Sequence, residues 1–325
     1  NDEQGMPRTS WRDFWCSDDA RVYQFIGQDN LYFYGVAQPA LWEALRPGGL
    51  FAEGPDSQMR QTTLVANHHM LFGKKKASSS GAVKPPTGEE LLEHYTPEQL
   101  RAHWLSLGLD QKAVSFNPKA FDTSVSHKDK ATGEDVLVRD APRVVDPALK
   151  ESAFLTNVFN RLARSCFYEA QKNFDGCMPL GAVTPEVRRR AFEALLDYEE
   201  RMHKVELHRV MSVCDEFIRW SNKWWADGIK AAEASEDADA RRQVLVDSFY
   251  LLRMATLLMH PIVPVGCEKI CDYLSFDFGD FFSWNYDFDS NDELCPAIEI
   301  DAGAHRIHEL PPRFDFFRKH ESQYK

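Results

Sequence analysis

The second half of the chain constrains the fold most, because it predicts one helix after another. Between residue 146 and about residue 275, apolar residues recur at helical spacing, and the joins are short. One such stripe consists of Leu155, Phe159, Leu162 and Cys166. Helices that are apolar along one face must bury that face against each other. The sequence therefore predicts a bundle of roughly four or five long helices.

The first part of the chain has a different pattern. "VYQFI" alternates and is rich in β-branched and aromatic residues, which predicts a strand, and "TTLVANHHMLF" predicts a second one. The turn "GQDN" and the helical "LYFYGVAQPALWEAL" follow the first strand. Strand, polar turn and helix make one step of an α/β unit. Ligands gather at the carboxyl ends of such strands, which points to residues 27–30 as a site.

A cationic loop, "GKKKASSSG", follows the second predicted strand. Its glycines allow the backbone to bend, and mobile lysine ammonium groups can meet phosphate. It lacks the GxxxxGK[ST] order of a Walker loop, and composition alone favours a solvated surface loop.

Further along, Thr96 is the predicted N-cap of a helix that has Pro97 at its first position. Gln99 completes a capping box. Residues from about 110 to 146 predict a connector with short strands, since they combine few periodic apolar positions with Gly and Pro.

Composition excludes some classes of protein. The net charge of −12 is wrong for a protein that coats nucleic acid, so any RNA contact must be local. No apolar run is long enough for a membrane span, and "NDEQGMPRTS" does not resemble a signal peptide. Seven scattered cysteines predict reduced thiols in a cytoplasmic protein. Cys267 and Cys271 share a helix face, and we expect them to pack in the core and not to bind metal.

Five segments occur in the order known from class I methionyl-tRNA synthetases. They are "VYQFIGQDNLYFY", "GKKKASSSG", "YTPEQLRAHWL", "LTNVFNRLARSCFYEAQKNFDGCMPL" and "LLRMATLLMHPIVP". They resemble that family's FIGKDN strand-turn-helix, KMSKS loop, DxLRyyL helix, NLLNR anticodon helix and a late bundle helix. The resemblance covers roughly residues 20 to 275.

The resemblance implies an α/β plus all-α chain. A partial Rossmann-like catalytic half over 1–95 would be followed by a stem-contact connector over 96–145, a helical anticodon-binding domain over 146–275 and a tail over 276–325 that packs back. It also implies a chemistry: the methionine carboxylate attacks the α-phosphate of ATP, pyrophosphate leaves, and the methionyl adenylate acylates tRNA. ATP with Mg²⁺, methionine and tRNA would be the substrates of a monomer without a zinc site or a membrane contact.

Site residues are also carried over by the resemblance. The ATP-binding residues would be Gly27, Gln28, Asp29 and Lys75, the methionine-binding residues Asn30, Phe33 and Tyr34, and the catalytic loop residues Lys75, Lys76, Ser78 and Ser79. Anticodon contact would come from Asn157, Arg161 and Arg164, with "NVFNR" lying on the family's NLLNR. Amides and guanidiniums on an outward face suit splayed RNA bases, although the pattern alone equally fits an ordinary solvated face.

The sequence departs from the family at several points. Ser78 replaces the second lysine of KMSKS, and Tyr34 stands where the family has His. No HIGH motif occurs, and the only adjacent histidines are His68 and His69, in the second predicted strand. The family's late Pro-Trp is absent, so we expect Trp224 and Trp225 to pack in the core. These departures predict a C-terminal portion of a synthetase that forms no adenylate alone.

Two other functions remain open at this point. One is a non-catalytic tRNA-binding relative of a synthetase, which the altered lysine motif favours. The other is a relative that makes an aminoacyl adenylate for a different pathway and does not act on tRNA.

Overall fold

The computed structural model describes residues 11–45, 62–73, 75–76, 81, 84–283 and 305–324. The chain forms two compact units: unit 1 comprises residues 1–85 and 108–116, and unit 2 comprises residues 86–107 and 117–325. The four domain ranges predicted from the sequence stay a prediction, since the two units divide the chain at other residues.

Unit 1 contains the predicted strand, turn and helix. Strand β1 (Tyr23–Gly27) pairs in parallel with β2 (Thr63–Asn67), with Tyr23 opposite Thr63 and Gly27 opposite Asn67. A 3₁₀ turn (Gln28–Asn30), a π-helical turn (Phe33–Ala37) and a helix (Gln38–Leu45) follow β1. In chain order the short Trp11–Trp15 helix is α1 and Gln38–Leu45 is α2. The prediction of an α/β step is confirmed.

The second predicted strand is wrong in its extent, because the chain breaks it into two. After β2 ends, the His68 N–H donates to the Leu109 carbonyl at 2.7 Å, which leads the backbone away from β1. The next strand, β3 (Met70–Phe72), pairs antiparallel with β4 (Lys75–Lys76) and parallel with β5 (Val114–Ser115). The lysine loop thus begins as a β-hairpin on a second small sheet.

Unit 2 holds the long helices that the sequence predicts. The long ones are α6 (Asn160–Asn173), α7 (Pro185–His203), α8 (Leu207–Ser235) and α9 (Ala238–Met259). The shorter ones are α3 (Gly88–Leu92), α4 (Pro97–Ser106), α5 (Pro147–Lys150), α10 (Pro264–Tyr273) and α11 (Phe278–Phe281). A π-helical turn (Phe154–Phe159) leads directly into α6. The short strands are β6 (Val125–Lys128), β7 (Asp135–Leu137), β8 (Cys177–Met178) and β9 (His305–Arg306).

The helices share one core, as the periodicity predicts. Leu155, Phe159, Leu162 and Cys166 are all buried. Helix α9 is central, because every residue from Leu245 to Met259 is buried, and a helix buried on all sides needs neighbours all round. The helical bundle is therefore confirmed.

Helix α4 begins as its sequence predicts. The Thr96 hydroxyl accepts from the Gln99 N–H at 3.2 Å, and the Gln99 side-chain oxygen accepts from the Thr96 N–H at 3.0 Å. This reciprocal capping box satisfies two backbone donors that a helix start leaves without partners.

Residues 305–324, here called the C-terminal strap, run back along α6. The Tyr168 hydroxyl donates to the Pro311 carbonyl at 2.9 Å. Asn160, fully buried, donates to the Phe317 carbonyl at 2.8 Å and accepts from the Phe317 N–H at 3.0 Å. Further on, Gln323 donates to the His94 carbonyl at 2.9 Å. The strap therefore links α6 to the segment before α4.

Helix α4 is fixed to the start of α10 by two charged side chains. Glu98 accepts from the Gly266 N–H at 2.8 Å, and Arg101 donates to the Ile262 carbonyl at 2.6 Å. Burial raises the pKa of Glu98, while the Gly266 N–H and nearby cations act in the opposite direction. The fold therefore favours the protonated form of Glu98 more than water does.

Substitution of Glu98 separates the hydrogen bond from the buried charge. Glu98→Gln keeps an oxygen for the Gly266 N–H and removes the charge, so we expect its free energy of unfolding at pH 7 to equal or exceed that of the parent. Glu98→Ala leaves a buried donor unsatisfied and should lower that free energy by about 1–3 kcal/mol. Urea denaturation measures both values.

Urea denaturation at acid pH shows in which direction the contribution of Glu98 to stability changes with pH. A carboxyl whose pKa is raised by folding binds its proton more tightly in the native state, so its contribution to stability grows as pH falls through the folded pKa. The free energy of unfolding of the parent should therefore rise relative to that of Glu98→Gln as the pH falls from 7 to about 4.5. A Gln variant as unstable as the Ala variant at pH 7 would contradict this account.

Candidate functional site

Two segments that the sequence assigns to ATP binding meet in unit 1. The Lys76 ammonium lies 2.8 Å from a carboxylate oxygen of Asp29. Asp29 belongs to the 3₁₀ turn after β1, and Lys76 belongs to the hairpin strand β4. About half of each side chain is exposed, at 52% and 50%. The lysine hairpin is thus held at the carboxyl end of β1, where an α/β fold places its ligands.

The pair keeps Asp29 ionised. The Lys76 ammonium lowers the pKa of the Asp29 carboxyl by its hydrogen bond, and a backbone N–H adds to this. The charges of Lys76 and His69 act in the same direction, and the small loss of hydration opposes them. A carboxylate at this position is a ready acceptor for hydroxyl groups.

Two glycines lie close to the contact between Asp29 and Lys76. A Cβ on Gly27 would lie 2.7 Å from an Asp29 carboxylate oxygen, so a larger residue there would make that carboxylate shift. Gly73 has a φ of +55°, a left-handed conformation that favours glycine, and it turns β3 into β4. Backbone requirements at these two positions therefore support the contact between Asp29 and Lys76.

Sequence reasoning missed the polar residues that end β2. Asn67 is the register partner of Gly27, and His68 and His69 follow it directly. His69 is close enough to Asp29 for its charge to lower the pKa of that carboxyl. Their position directly after a strand is the available signal, but the pattern of "TTLVANHHMLF" predicts one strand through all of them.

The residues assigned to methionine binding lie on an open surface. Asn30 is exposed, Phe33 is 60% exposed and Tyr34 is 40% exposed. Phe33 and Tyr34 belong to the π-helical turn, a feature that is rare and often found at functional sites. The neighbouring Tyr32 and Val36 are exposed as well. The described residues of unit 1 thus expose an apolar face where the resemblance implies an enclosed amino-acid pocket.

Of the other residues assigned to ATP binding and catalysis, Lys75 and Gln28 are described and two serines are not. Lys75 is exposed on β4, and the described part of the chain offers it no ion pair. Gln28 lies in the exposed 3₁₀ turn beside Asp29. Ser78 and Ser79 lie outside the described residues. The roles assigned to all of them stay predictions.

In unit 2, Asn157 and Arg161 face outward, as predicted. Both are exposed, whereas Leu155, Phe159 and Leu162 on the opposite side are buried. Asn157 lies in the π-helical turn that leads into α6. Neither side chain has a hydrogen-bond or ion-pair partner among the described residues. Both remain available to a ligand.

Arg164 and Tyr168 extend that face but already have partners. Arg164 forms an ion pair with Asp315 of the strap at 2.9 Å and is half-buried. Tyr168 donates to the Pro311 carbonyl. These two side chains hold the strap, so Asn157 and Arg161 carry the open part of the surface. Anticodon contact by Arg164 stays a prediction.

Two core assignments are confirmed. Trp225 is buried, and Trp224 stacks on Trp220 with ring centroids 5.4 Å apart. Cys267 and Cys271 are buried among the helices, and burial raises the pKa of the Cys271 thiol to about 11. Within the ranges described, no group of three or more His, Cys, Asp or Glu side chains could hold a metal ion. No described helix combines the length and apolar character of a membrane span.

Comparison with known proteins shows what the chain is similar to. Residues 2–129 match the family of tRNA synthetases class I (M). The methionine–tRNA ligase of Methanosarcina mazei is 24% identical over 261 residues, which are 80% of this chain and 31% of that protein. That of Bacillus cereus is 22% identical over 266 residues, 81% of this chain and 42% of that protein. The chain thus spans less than half the length of these curated relatives.

Solved structures give the fold. Mycobacterium tuberculosis methionyl-tRNA synthetase bound by methionyl-adenylate has a TM-score of 0.63 at 18% sequence identity, and the match covers 97% of this chain and 53% of that chain. The apo form of the same protein has a TM-score of 0.61 at 18% identity, with the same coverage. The predicted resemblance and the predicted fold class are confirmed.

The ion pair between Asp29 and Lys76 can be tested by NMR. Lys76→Ala removes the hydrogen bond that lowers the pKa of the Asp29 carboxyl, so that pKa should rise toward its ordinary value. Lys75→Ala removes the same charge from the adjacent position and should leave the pKa nearly unchanged. Carboxyl-carbon titration of Asp29 measures both. An equal response to the two substitutions would contradict the structure.

Proposed function

We propose, from the premise that the chain is a relative of the class I methionyl-tRNA synthetases, that it serves the ligation of methionine to tRNA. Unit 1 contacts ATP, and the helical unit 2 binds tRNA. The observation that carries the proposal is the 2.8 Å contact between Lys76 and Asp29, which supports the pairing of the lysine hairpin with the strand-turn corner that the family uses for the nucleotide.

The ion pair suggests how the nucleotide is received. Asp29 is an ionised acceptor and would accept hydrogen bonds from the ribose hydroxyls of ATP. Because the pair with Lys76 is exposed to solvent, water screens it and it opens readily. Lys76 would then be free to meet the phosphates. It can supply the positive charge that Ser78 does not give to the loop.

The amino-acid site supports a narrower proposal. The side chains assigned to methionine are exposed, and an apolar thioether side chain is bound strongly only where it is removed from water. We therefore expect these 325 residues, taken alone, to form no methionyl adenylate. Unit 1 would then contribute the lysine hairpin and the ribose contact to a site that needs further residues.

An exchange assay tests the narrower proposal. Incubation of the purified chain with methionine, ATP, Mg²⁺ and labelled pyrophosphate should give no label in ATP above background. Binding of a fluorescent ATP analogue should nevertheless weaken in Asp29→Ala, because that change removes the ribose acceptor. Methionine-dependent exchange by the chain alone would refute the narrower proposal and leave the assignment to methionine ligation in place.

The RNA-binding part is supported by the open face of α6. Asn157 and Arg161 offer an amide and a guanidinium without competing partners in the described chain. Amides read base edges, and guanidinium planes stack on bases or pair with them. The bundle beneath them is rigid, because the side chains on its inner side are buried. We propose this face as the contact for the anticodon.

Substitution of the two residues tests that contact. Asn157→Ala with Arg161→Ala should weaken the binding of a methionine tRNA transcript by about tenfold or more, since each base contact is worth roughly 1–3 kcal/mol. Lys230→Ala, which removes an exposed cation from α8, is the matched control for lost charge and should have little effect. Fluorescence anisotropy gives the dissociation constants.

The anticodon supplies the second arm of this test. Base changes in the anticodon should weaken binding to the parent chain and hardly affect the double variant. If the double variant bound the unaltered tRNA as tightly as the parent, anticodon contact by this face would be wrong. Complete absence of tRNA binding by the parent would favour an adenylate-forming relative that does not act on tRNA.

One other function has an observation in its favour. The exposed amino-acid side chains of unit 1 also suit a tRNA-binding relative without catalysis. ATP binding separates the two, because such a relative has no need of the Asp29 acceptor. A chain that bound tRNA but gave no ATP binding would support this alternative.

A further inference from the structure

We propose that the C-terminal strap supplies a second part of the RNA-binding surface, in which Arg318 and Lys319 contact the phosphates of the RNA whose bases meet Asn157 and Arg161. This inference rests on the proposed binding of tRNA by unit 2. It adds residues that lie more than 150 positions away in the sequence, outside the segments that resemble the family.

The strap lies against the part of α6 that carries Arg161. The strap is fixed to α6 by Asn160, whose side chain makes hydrogen bonds of 2.8 and 3.0 Å with the carbonyl and N–H of Phe317. The Phe317 ring stacks on Phe159 with centroids 4.8 Å apart. Arg161 follows Asn160 directly, and Arg318 follows Phe317 directly. The anchor therefore brings the backbone at Arg161 and the backbone at Arg318 to the same part of unit 2.

The strap also presents cations that have no acidic partner in the described part of the chain. The strap's Asp315 is paired with Arg164 at 2.9 Å, so its negative charge is neutralised within the unit. Arg318 and Lys319 are exposed, and neither has an ion-pair partner among the residues that the structure describes. Together with Arg161 they form a local group of cations without partners on a protein of net charge −12. Such a local excess on an acidic body is where a polyanion binds.

The strap is attached to unit 2 on both sides of Arg318 and Lys319. After Lys319 the chain continues to Ser322 and Gln323, which donate to the His94 carbonyl at 3.2 and 2.9 Å. The strap thus leaves the open face of α6 and is fixed again at the segment before α4. Both ends of the 318–319 step are held, so these side chains are presented at a fixed place on unit 2.

The chemistry predicts phosphate contact and not base reading. Arg and Lys on an exposed strap meet the backbone of a nucleic acid as charges, and this contact is independent of sequence. It releases counterions, so each lost contact reduces the dependence of log affinity on log salt concentration by about 0.7–0.9. A salt titration therefore separates the strap from a residue that reads a base.

The experiment compares three variants of the full chain with the parent. Arg318→Ala with Lys319→Ala should weaken binding of a methionine tRNA transcript about tenfold and lower the salt slope by roughly 1.4–1.8. Lys172→Ala with Lys230→Ala removes two exposed cations, one from the last turn of α6 and one from α8, and is the matched control, which should change neither. Arg318→Lys should keep most of the affinity, because it keeps the charge.

Each outcome decides one proposal. The strap variant should lose affinity equally for the parent tRNA and for a tRNA with an altered anticodon, since phosphates carry no sequence. Unchanged affinity and slope in the strap variant, while Asn157→Ala with Arg161→Ala still weakens binding, would overturn the strap proposal alone. Equal losses in the strap variant and the control variant would also overturn it. No binding by the parent would overturn the proposed tRNA binding itself.

Discussion

The buried amide of Asn160 is the interaction on which the arrangement of unit 2 depends. Its side chain donates to the carbonyls of Phe317 and Thr156 at 2.8 and 3.0 Å and accepts from the Phe317 N–H at 3.0 Å. A buried amide is stable only with such partners, so the strap and helix α6 satisfy each other. The Phe317 ring then fills the space above Gly266, which has no room for a side chain. One amide thus holds the strap, α6 and α10 together.

The two candidate sites use opposite physical strategies. In unit 2 the open side chains Asn157 and Arg161 stand on a packed bundle, so their positions are fixed by core residues beneath them. In unit 1 the contact between Asp29 and Lys76 is exposed, so water screens it and it would open readily if a nucleotide bound as proposed. These properties suit the proposed roles, which are a fixed surface for RNA and a screened ion pair that can yield to phosphate.

Local signals predicted much of this structure. The Thr96 capping box, the parallel-strand step at β1 and the outward position of Asn157 followed from spacing and residue type. The break after β2 did not, because His68 leaves the strand for a carbonyl at Leu109 that no pattern in the sequence reveals. The pairs of Lys76 with Asp29 and of Asn160 with Phe317 also join distant segments, and spacing carries no information about them.

Photo-cross-linking of tRNA to the chain tests the proposed anticodon contact most directly. A methionine tRNA with a photoactivatable uridine in its anticodon loop can be cross-linked to the chain and the attached peptides identified by mass spectrometry. The account predicts attachment within residues 154–164 and within the strap around residues 313–319. Attachment confined to the β6–β7 hairpin or to unit 1 would contradict it.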